Sequence, residues 1–312
     1  MNTTITAAAT QSNGKSNLLE IVQRPAPIAS DGRTLLRVSR AGINFVDVYQ
    51  ARGRYPVPPG TVLGFEAVGV APDGTRYAVI DHLGAYAQSI SVPNDELILV
   101  PNDISDDYAM LLFQGVTAEF LTHSVHPLRA GEVVLVYAAA GGVGWMLMQV
   151  AKHAGTRPIG IVSTEAKARP LRERGYEVLV GDGSNFSLVR DLIPDGVDVA
   201  FDPNGKESWE LTLASVKSRG HVVVFGAAGN QHDPIPVSLL RDRGSLTLTF
   251  ASIFDHLADP VERQARAARV FSWLRGGTVV PQPFHSFPLD RVNDALLFIE
   301  SRKSTGKLLL IP

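Results

Sequence analysis

The chain has 312 residues, 45% of them apolar, and a formal net charge of −2, enough to bury a substantial core divided between two domains. So even a charge argues against a nucleic-acid surface, and no apolar run reaches the length of a membrane span, so neither partner is expected. The chain has no cysteine; disulfides, thiolate nucleophiles and Cys-based zinc sites are excluded, and redox chemistry is left to a bound cofactor.

The opening MNTTITAAATQSNGKSN lacks the basic start and apolar stretch of a secretory signal, so a cytoplasmic protein is expected. Residues 3–9 and 18–22 read as strands joined through Asn13-Gly14, a hairpin-turn pair. Gly14-Lys15-Ser16 resembles the end of a phosphate-binding loop but lacks its first glycine, the place being held by Ala9, and no helix pattern follows. Residues 34–41 resume as a strand. Asn44 is then placed to cap a helix carrying Tyr49, and both are also candidates for function. A proline-fixed loop, 54–60, leads into an apolar run at 62–70. Asp73-Gly74 marks a tight hairpin, residues 85–92 alternate as a half-buried strand, and 96–101 close an antiparallel, barrel-like region.

Residues 108–124 have helical periodicity. Gly115 within them disfavours a helix on propensity and signals close approach of a backbone or ligand. His123 and His126 lie three apart with no third ligand nearby, which points to a solvated face.

Residues 132–167 organise the rest. A β-branched run at 133–137 ends in Ala138-x-x-Gly141-x-x-Gly144, and a helical pattern through Trp145, Met148, Gln149 and Lys152 runs to Gly155. A second apolar run follows at 158–162. In such a βαβ unit the glycine turn meets a dinucleotide pyrophosphate at the helix N-terminus; the alternative is a turn that merely packs a helix close to a strand. The second strand ends in Ser163-Thr164, followed by Glu165 and Lys167, where an NAD site has an acid. A hydroxyl pair with a nearby cation suits a 2′-phosphate, so NADPH is expected, with NADH left possible by Glu165.

Strands at 177–180, 197–201 and 221–225 alternate with helices at 188–192 and 209–217. The last strand opens onto Gly226-Ala227-Ala228-Gly229, at the carboxyl edge where open α/β sheets bind ligands. Residues 246–250 form a β-rich run at the expected sheet edge, where a second copy continuing the sheet would give a homodimer. Asp259-Pro260 begins a helix to Arg275 with Val261, Ala265, Ala268 and Phe271 on one face. A helix at 291–301 and a strand at 307–311 end the chain, that strand needing the N-terminal domain's sheet to join.

The segments AGINFVDVYQARGRYP, VLGFEAVGV, LGAYAQ, FQGVTAEFL, VYAAAGGVGWMLMQVAKHAG, IGIVSTEAKA and ESRKSTGKLLLIP, in order over nearly the whole chain, resemble the zinc-free quinone oxidoreductase branch of the medium-chain dehydrogenase/reductase superfamily, the zeta-crystallin-like proteins. The resemblance implies an α/β protein: a Rossmann-type doubly wound parallel sheet domain over residues 113–277, and a GroES-like, mostly antiparallel β barrel domain formed by residues 1–112 with 278–312. Zinc-dependent relatives carry Gly-His-Glu where this chain has Gly64-Phe65-Glu66; phenylalanine cannot bind zinc, so no metal is expected.

The resemblance implies cofactor contacts from Asn44, Phe45 and Tyr49, from Thr117, and from Ala140, Gly141, Gly142 and Val143 at the turn. It adds Ser163, Thr164 and Lys167 after the second strand, Asn204, Phe225, Gly226, Ala227 and Phe250 at later strand ends, and Arg302 and Lys307 near the C-terminus. Two departures stand out. A tyrosine that approaches the 2′-phosphate in many relatives is replaced near Gly181-Asp182, where an acid would repel that phosphate. Residues 70–82 are shortened to a compact hairpin, implying a more open substrate pocket.

The expected reaction is hydride transfer from NADPH to a quinone, with Asn44, Tyr49 and Tyr55 as the catalytic candidates that polarise a carbonyl or relay a proton. The alternative acceptor is the C=C bond of an enone, enal or enoyl thioester; a thioester carrier needs a basic rim, for which Arg52 and Arg54 are the nearby candidates. A third reading is a protein that holds NADPH without turnover.

Overall fold

The computed structural model describes residues 4–11, 18–181, 186–226 and 233–312. Asn13-Gly14, the Gly14-Lys15-Ser16 triplet, Asp182, Ala227, Ala228 and Gly229 lie outside the described residues. The chain forms two compact units: Met1–Phe113 with His256–Arg275 and Val280–Pro312, and Gln114–Asp255 with Gly276–Val279.

The first unit is built on a seven-stranded sheet in the order Phe284–Pro288, Lys307–Ile311, Arg33–Ile43, Glu66–Val70, Arg76–Ile80, Ile98–Leu99, with Ser89–Pro93 also paired to Arg33–Ile43. Its pairings are antiparallel apart from that of Phe284–Pro288 with Lys307–Ile311. Arg33–Ile43 reaches three partners because its register shifts between Val38 and Arg40, an irregularity of the kind that bends a strand. The terminal strand joins this sheet, as its sequence requires: Leu308, Leu309 and Leu310 are buried between neighbours on both sides. The shortened hairpin closes through Ala71 N–H to Thr75 O and Gly74 N–H to Ala71 O, both 2.9 Å, with Gly74 at φ +86° supplying the left-handed residue.

The helix Pro260–Arg275 starts where expected, with Val261 N–H donating to Asp259 Oδ1 at 2.9 Å. Two expectations about it are corrected. It groups with the first unit, not with the dinucleotide unit, because Arg263 donates to Asp95 O (3.2 Å), Gln264 to Leu97 O (2.7 Å), and Arg275 pairs with Asp103 (2.7 Å). Its buried residues are Arg263, Arg266, Ala267, Val270, Phe271, Trp273 and Leu274, while Val261, Ala265 and Ala268 face outward. Apolar periodicity misleads here because the guanidinium of Arg263 finds backbone carbonyls and that of Arg266 finds Glu262, which lets the arginines be buried.

The second unit is a six-stranded parallel sheet in the order Glu177–Val180, Arg157–Val162, Val133–Tyr137, Val197–Asp202, Val216–Val224, Thr247–Phe250. Counted along the chain, this is 3-2-1-4-5-6, the doubly wound order, with its switch point beside the first strand. Val134, Leu135, Val136 and Tyr137 are fully buried, which explains the continuous apolar run of that strand.

The expected helix at 108–124 is broken into Asp106–Ala109, Leu112–Phe120 and a π-helical turn, Leu121–Val125. In that turn His126 N–H reaches back to Leu121 O, five residues away. The solvated face expected of the two histidines holds for His123 alone. His126 Nδ1 lies 3.1 Å from His221 Nδ1, and His221 Nε2 lies 2.9 Å from Thr249 Oγ1. Burial and the neighbouring His126 push His221 down to about 4, so this ring stays neutral near pH 7.

Candidate active site

In the second unit the turn after Val133–Tyr137 is shaped by its small residues. Gly141 caps the helix Gly142–His153, which has no acidic residue in its first turn. Its leading N–H groups therefore present an anion site free of competing charge. A Cβ at Gly144 would overlap the Ala138 carbonyl and come within 2.9 Å of Ala139 Cα, and one at Gly142 would overlap the Gln114 side chain. Ala138, where a glycine would be unstrained, sits at φ +50°. Ala140, Gly141, Gly142 and Val143 thus form one backbone corner with Gln114, a residue not singled out in the sequence, against it.

Of the other expected contacts of this unit, Ser163, Thr164, Asn204, Phe225, Gly226 and Phe250 lie at the carboxyl ends of strands of the same sheet. Ser163 and Thr164 are exposed at the end of Arg157–Val162. Thr164 also caps the next helix, accepting from Lys167 N–H at 3.4 Å. Glu165, the acid that argued for NADH, is ion-paired with Arg172 and does not stand at the strand end. Asn204 is held by its N–H to Asp202 Oδ1 (2.9 Å), and Asp202, fully buried, also accepts from Ser208 (2.7 Å) and Thr212 (2.6 Å). Phe225 N–H donates to Asp202 O at 3.1 Å, Gly226 lies against Pro203, and Phe250, 67% exposed, ends the edge strand. Thr117 is buried on Leu112–Phe120. The Asp202 hydroxyl cluster was missed because a serine just before a helix and a threonine within it look unremarkable in sequence.

In the first unit Asn44 is the N-cap residue of Phe45–Ala51, as its helix-capping reading required. Its N–H donates to Asp47 Oδ2 at 2.7 Å, but its side chain is turned inward. Nδ2 donates to Glu66 Oε2 at 2.9 Å and Oδ1 accepts from Lys307 Nζ at 3.0 Å, while Lys307 and Glu66 form a buried ion pair, at most 2% exposed. Burial pushes Asp47 up to about 7, outweighing the Asn44 N–H, the Tyr86 hydroxyl and the Lys307 cation; Tyr86 OH donates to Gly42 O at 3.3 Å. A Cβ at Gly42 would overlap Glu66 Oε2 and lie 2.8 Å from Lys307 Nζ. Sequence reasoning named Asn44 and Lys307 but not Glu66, Asp47 or Tyr86. An acid inside the apolar run VLGFEAVGV was the signal that could have found Glu66.

Tyr49 and Tyr55 are brought together: their rings meet edge to face at 5.2 Å, with Phe45 6.2 Å from Tyr49. The Arg54 guanidinium lies 4.8 Å over the Tyr49 ring, while Arg52 is paired with Glu300 at 2.5 Å. Phe65 occupies the position of the zinc-binding histidine and packs edge to face on Phe113 at 4.6 Å, offering no ligand atom. Arg302 lies past the end of Val292–Glu300 at φ +57°, exposed.

Residues 142–257 match the family model described as zinc-binding dehydrogenase. The chain is 33% identical over 304 residues to a 2-haloacrylate reductase of Burkholderia, covering 90% of this chain and 91% of that protein. It is 32% identical over 289 residues to a quinone oxidoreductase of Pseudomonas aeruginosa, covering 87% and 88%. A mycobacterial protein solved in complex with NADPH superposes with a TM-score of 0.92 at 32% identity, over 99% of this chain and 100% of that one. Likeness of this extent, together with a doubly wound sheet and a phenylalanine in the zinc position, shows that the chain belongs to the zinc-free quinone oxidoreductase branch of the medium-chain dehydrogenase/reductase superfamily.

Proposed function

We propose that this protein is an NADPH-dependent, zinc-independent reductase that transfers hydride to a quinone. The observation that carries the reading is an intact dinucleotide turn, Ala138 to Gly144, in a chain whose zinc position is filled by Phe65 packed on Phe113. The first N–H groups of Gly142–His153 would hold the pyrophosphate, and Ser163, Thr164 and Lys167 the 2′-phosphate, with Glu165 drawn aside by Arg172. When bound, NADPH supplies a hydride from C4 of its nicotinamide. Asn44 and Tyr49 orient and polarise the acceptor's carbonyl oxygen, and Tyr55, 43% exposed, relays a proton from solvent. Phe225, Gly226, Phe250 and Arg302 are assigned to the cofactor on the family pattern.

A second reading is favoured by Arg54. The Arg54 guanidinium over Tyr49 places a positive charge beside the tyrosines, suiting an acceptor with a carboxylate next to its C=C bond. The relative named a 2-haloacrylate reductase supports that class.

The test follows cofactor absorbance with NADPH and NADH against 1,4-naphthoquinone, a simple enone and 2-chloroacrylate. The expected result is oxidation of NADPH by naphthoquinone, with NADH at least about tenfold less efficient in kcat/KM, the cost of one unmatched charged contact. Preference for chloroacrylate would favour the second reading; binding of NADPH with no acceptor reduced would leave a protein that holds the cofactor without using it.

We also infer a cytoplasmic homodimer. Among the described residues no helix is long and apolar enough to cross a membrane. Among the described residues Thr247–Phe250 is the last strand of its sheet, where a second copy would continue the sheet.

A further inference from the structure

Lys307 and Glu66 are enclosed, and a buried ion pair is often no better for stability than apolar side chains of the same volume. The chain nevertheless makes room for the pair at Gly42, where any side chain would collide with it. What the pair offers is direction. An ammonium only donates and a carboxylate only accepts, so Lys307 Nζ must face Asn44 Oδ1 (3.0 Å) and Glu66 Oε2 must face Asn44 Nδ2 (2.9 Å). Turning the amide over would set donor against donor and oxygen against oxygen. Glu66 is itself anchored, its Oε1 accepting from Phe113 N–H at 3.3 Å.

Among the described residues these contacts leave one Nδ2 hydrogen of Asn44 unclaimed. We propose that Lys307 and Glu66 are positioning residues that hold the Asn44 carboxamide in a single orientation and polarise it, so that the remaining Nδ2 hydrogen is presented to a carbonyl oxygen of the bound cofactor or acceptor. This replaces the direct cofactor contact expected of Lys307, whose ammonium is fully enclosed. It rests on the reading that Asn44 borders the reacting centre. The Lys307 cation at Oδ1 draws charge through the amide and strengthens its remaining donor, as in any polarised hydrogen-bond chain.

The test uses Asn44→Ala, the charge-neutral double variant Lys307→Met/Glu66→Gln, and the triple variant. Circular dichroism verifies folding, fluorescence titration measures NADPH binding, and naphthoquinone reduction gives kcat and KM. The double variant is chosen because Lys307→Met alone would strand a buried carboxylate; Glu66→Gln, which removes the carboxylate that accepts from Nδ2, takes its place if the double variant does not fold. The proposal expects kcat to fall about 10- to 100-fold, the size of effect produced by misplacing a reacting group, with the NADPH Kd within about twofold. It also expects no further loss when Asn44→Ala is added, since interacting residues do not contribute independently. Losses that add in full, or a tenfold weaker NADPH Kd with kcat intact, would overturn it, the latter restoring Lys307 as a cofactor contact. Unchanged kcat in Asn44→Ala would remove the role of Asn44 itself, and the positioning role with it, while leaving the NADPH-dependent activity to be judged by the wild type.

Discussion

Asn44 shows what a single residue carries in this protein. Its place before an apolar helix marked it as a cap, and its backbone does that work through Asp47, while its side chain is committed to a charged pair from two distant segments. Asp47 completes the cap at a cost, because its carboxyl is fully buried and its pKa rises from 3.8 to about 7. Between those values the folded protein keeps a proton that the unfolded chain releases, so this group's contribution to stability declines as pH rises toward 7 and levels off above it. Asp47→Asn keeps an acceptor for the Asn44 N–H and removes the titration. Its stability relative to wild type is expected to improve by about 3 kcal/mol between pH 5 and pH 8, read from urea unfolding at both pH values. A difference independent of pH would mean that Asp47 titrates normally.

At the scale of elements, the βαβ unit was legible because its signals are local: a β-branched run, a glycine turn and an amphipathic helix within about thirty residues. The structure adds strain at one point of it. Ala138 is exposed and held at φ +50°, a conformation that costs a residue with a Cβ about 1–2 kcal/mol, partly offset in a glycine variant by that residue's greater unfolded-state freedom. Ala138→Gly is expected to raise Tm by about 1–2 °C without weakening NADPH binding; a lower Tm in differential scanning calorimetry would show that the methyl contributes packing. The helix Pro260–Arg275 marks the limit of local reading. Its cap was evident, but its buried face was not, because arginines cross into the interior wherever backbone carbonyls await them.

For the whole molecule, the arrangement of strands decides which sequence-distant residues become neighbours. The order 3-2-1-4-5-6 gathers Ser163, Gly142, Asn204, Phe225 and Phe250 along one edge of one sheet, and places Thr247–Phe250 at the sheet's boundary. If that boundary is the dimer seam, Thr247→Lys, an exposed position carrying a charge that disfavours edge pairing, should convert dimer to monomer in sedimentation velocity. A wild type that is itself monomeric would dispose of the dimer. Residue type and short spacing were enough for the class of most segments, the absence of cysteine chemistry and the nucleotide turn, and the family resemblance supplied the phenylalanine in the zinc position. Tertiary pairing alone brings Lys307 to Glu66 across 241 residues and His126 to His221 across 95. Such pairings depend on strand order and register, which bring together side chains that no local periodicity links.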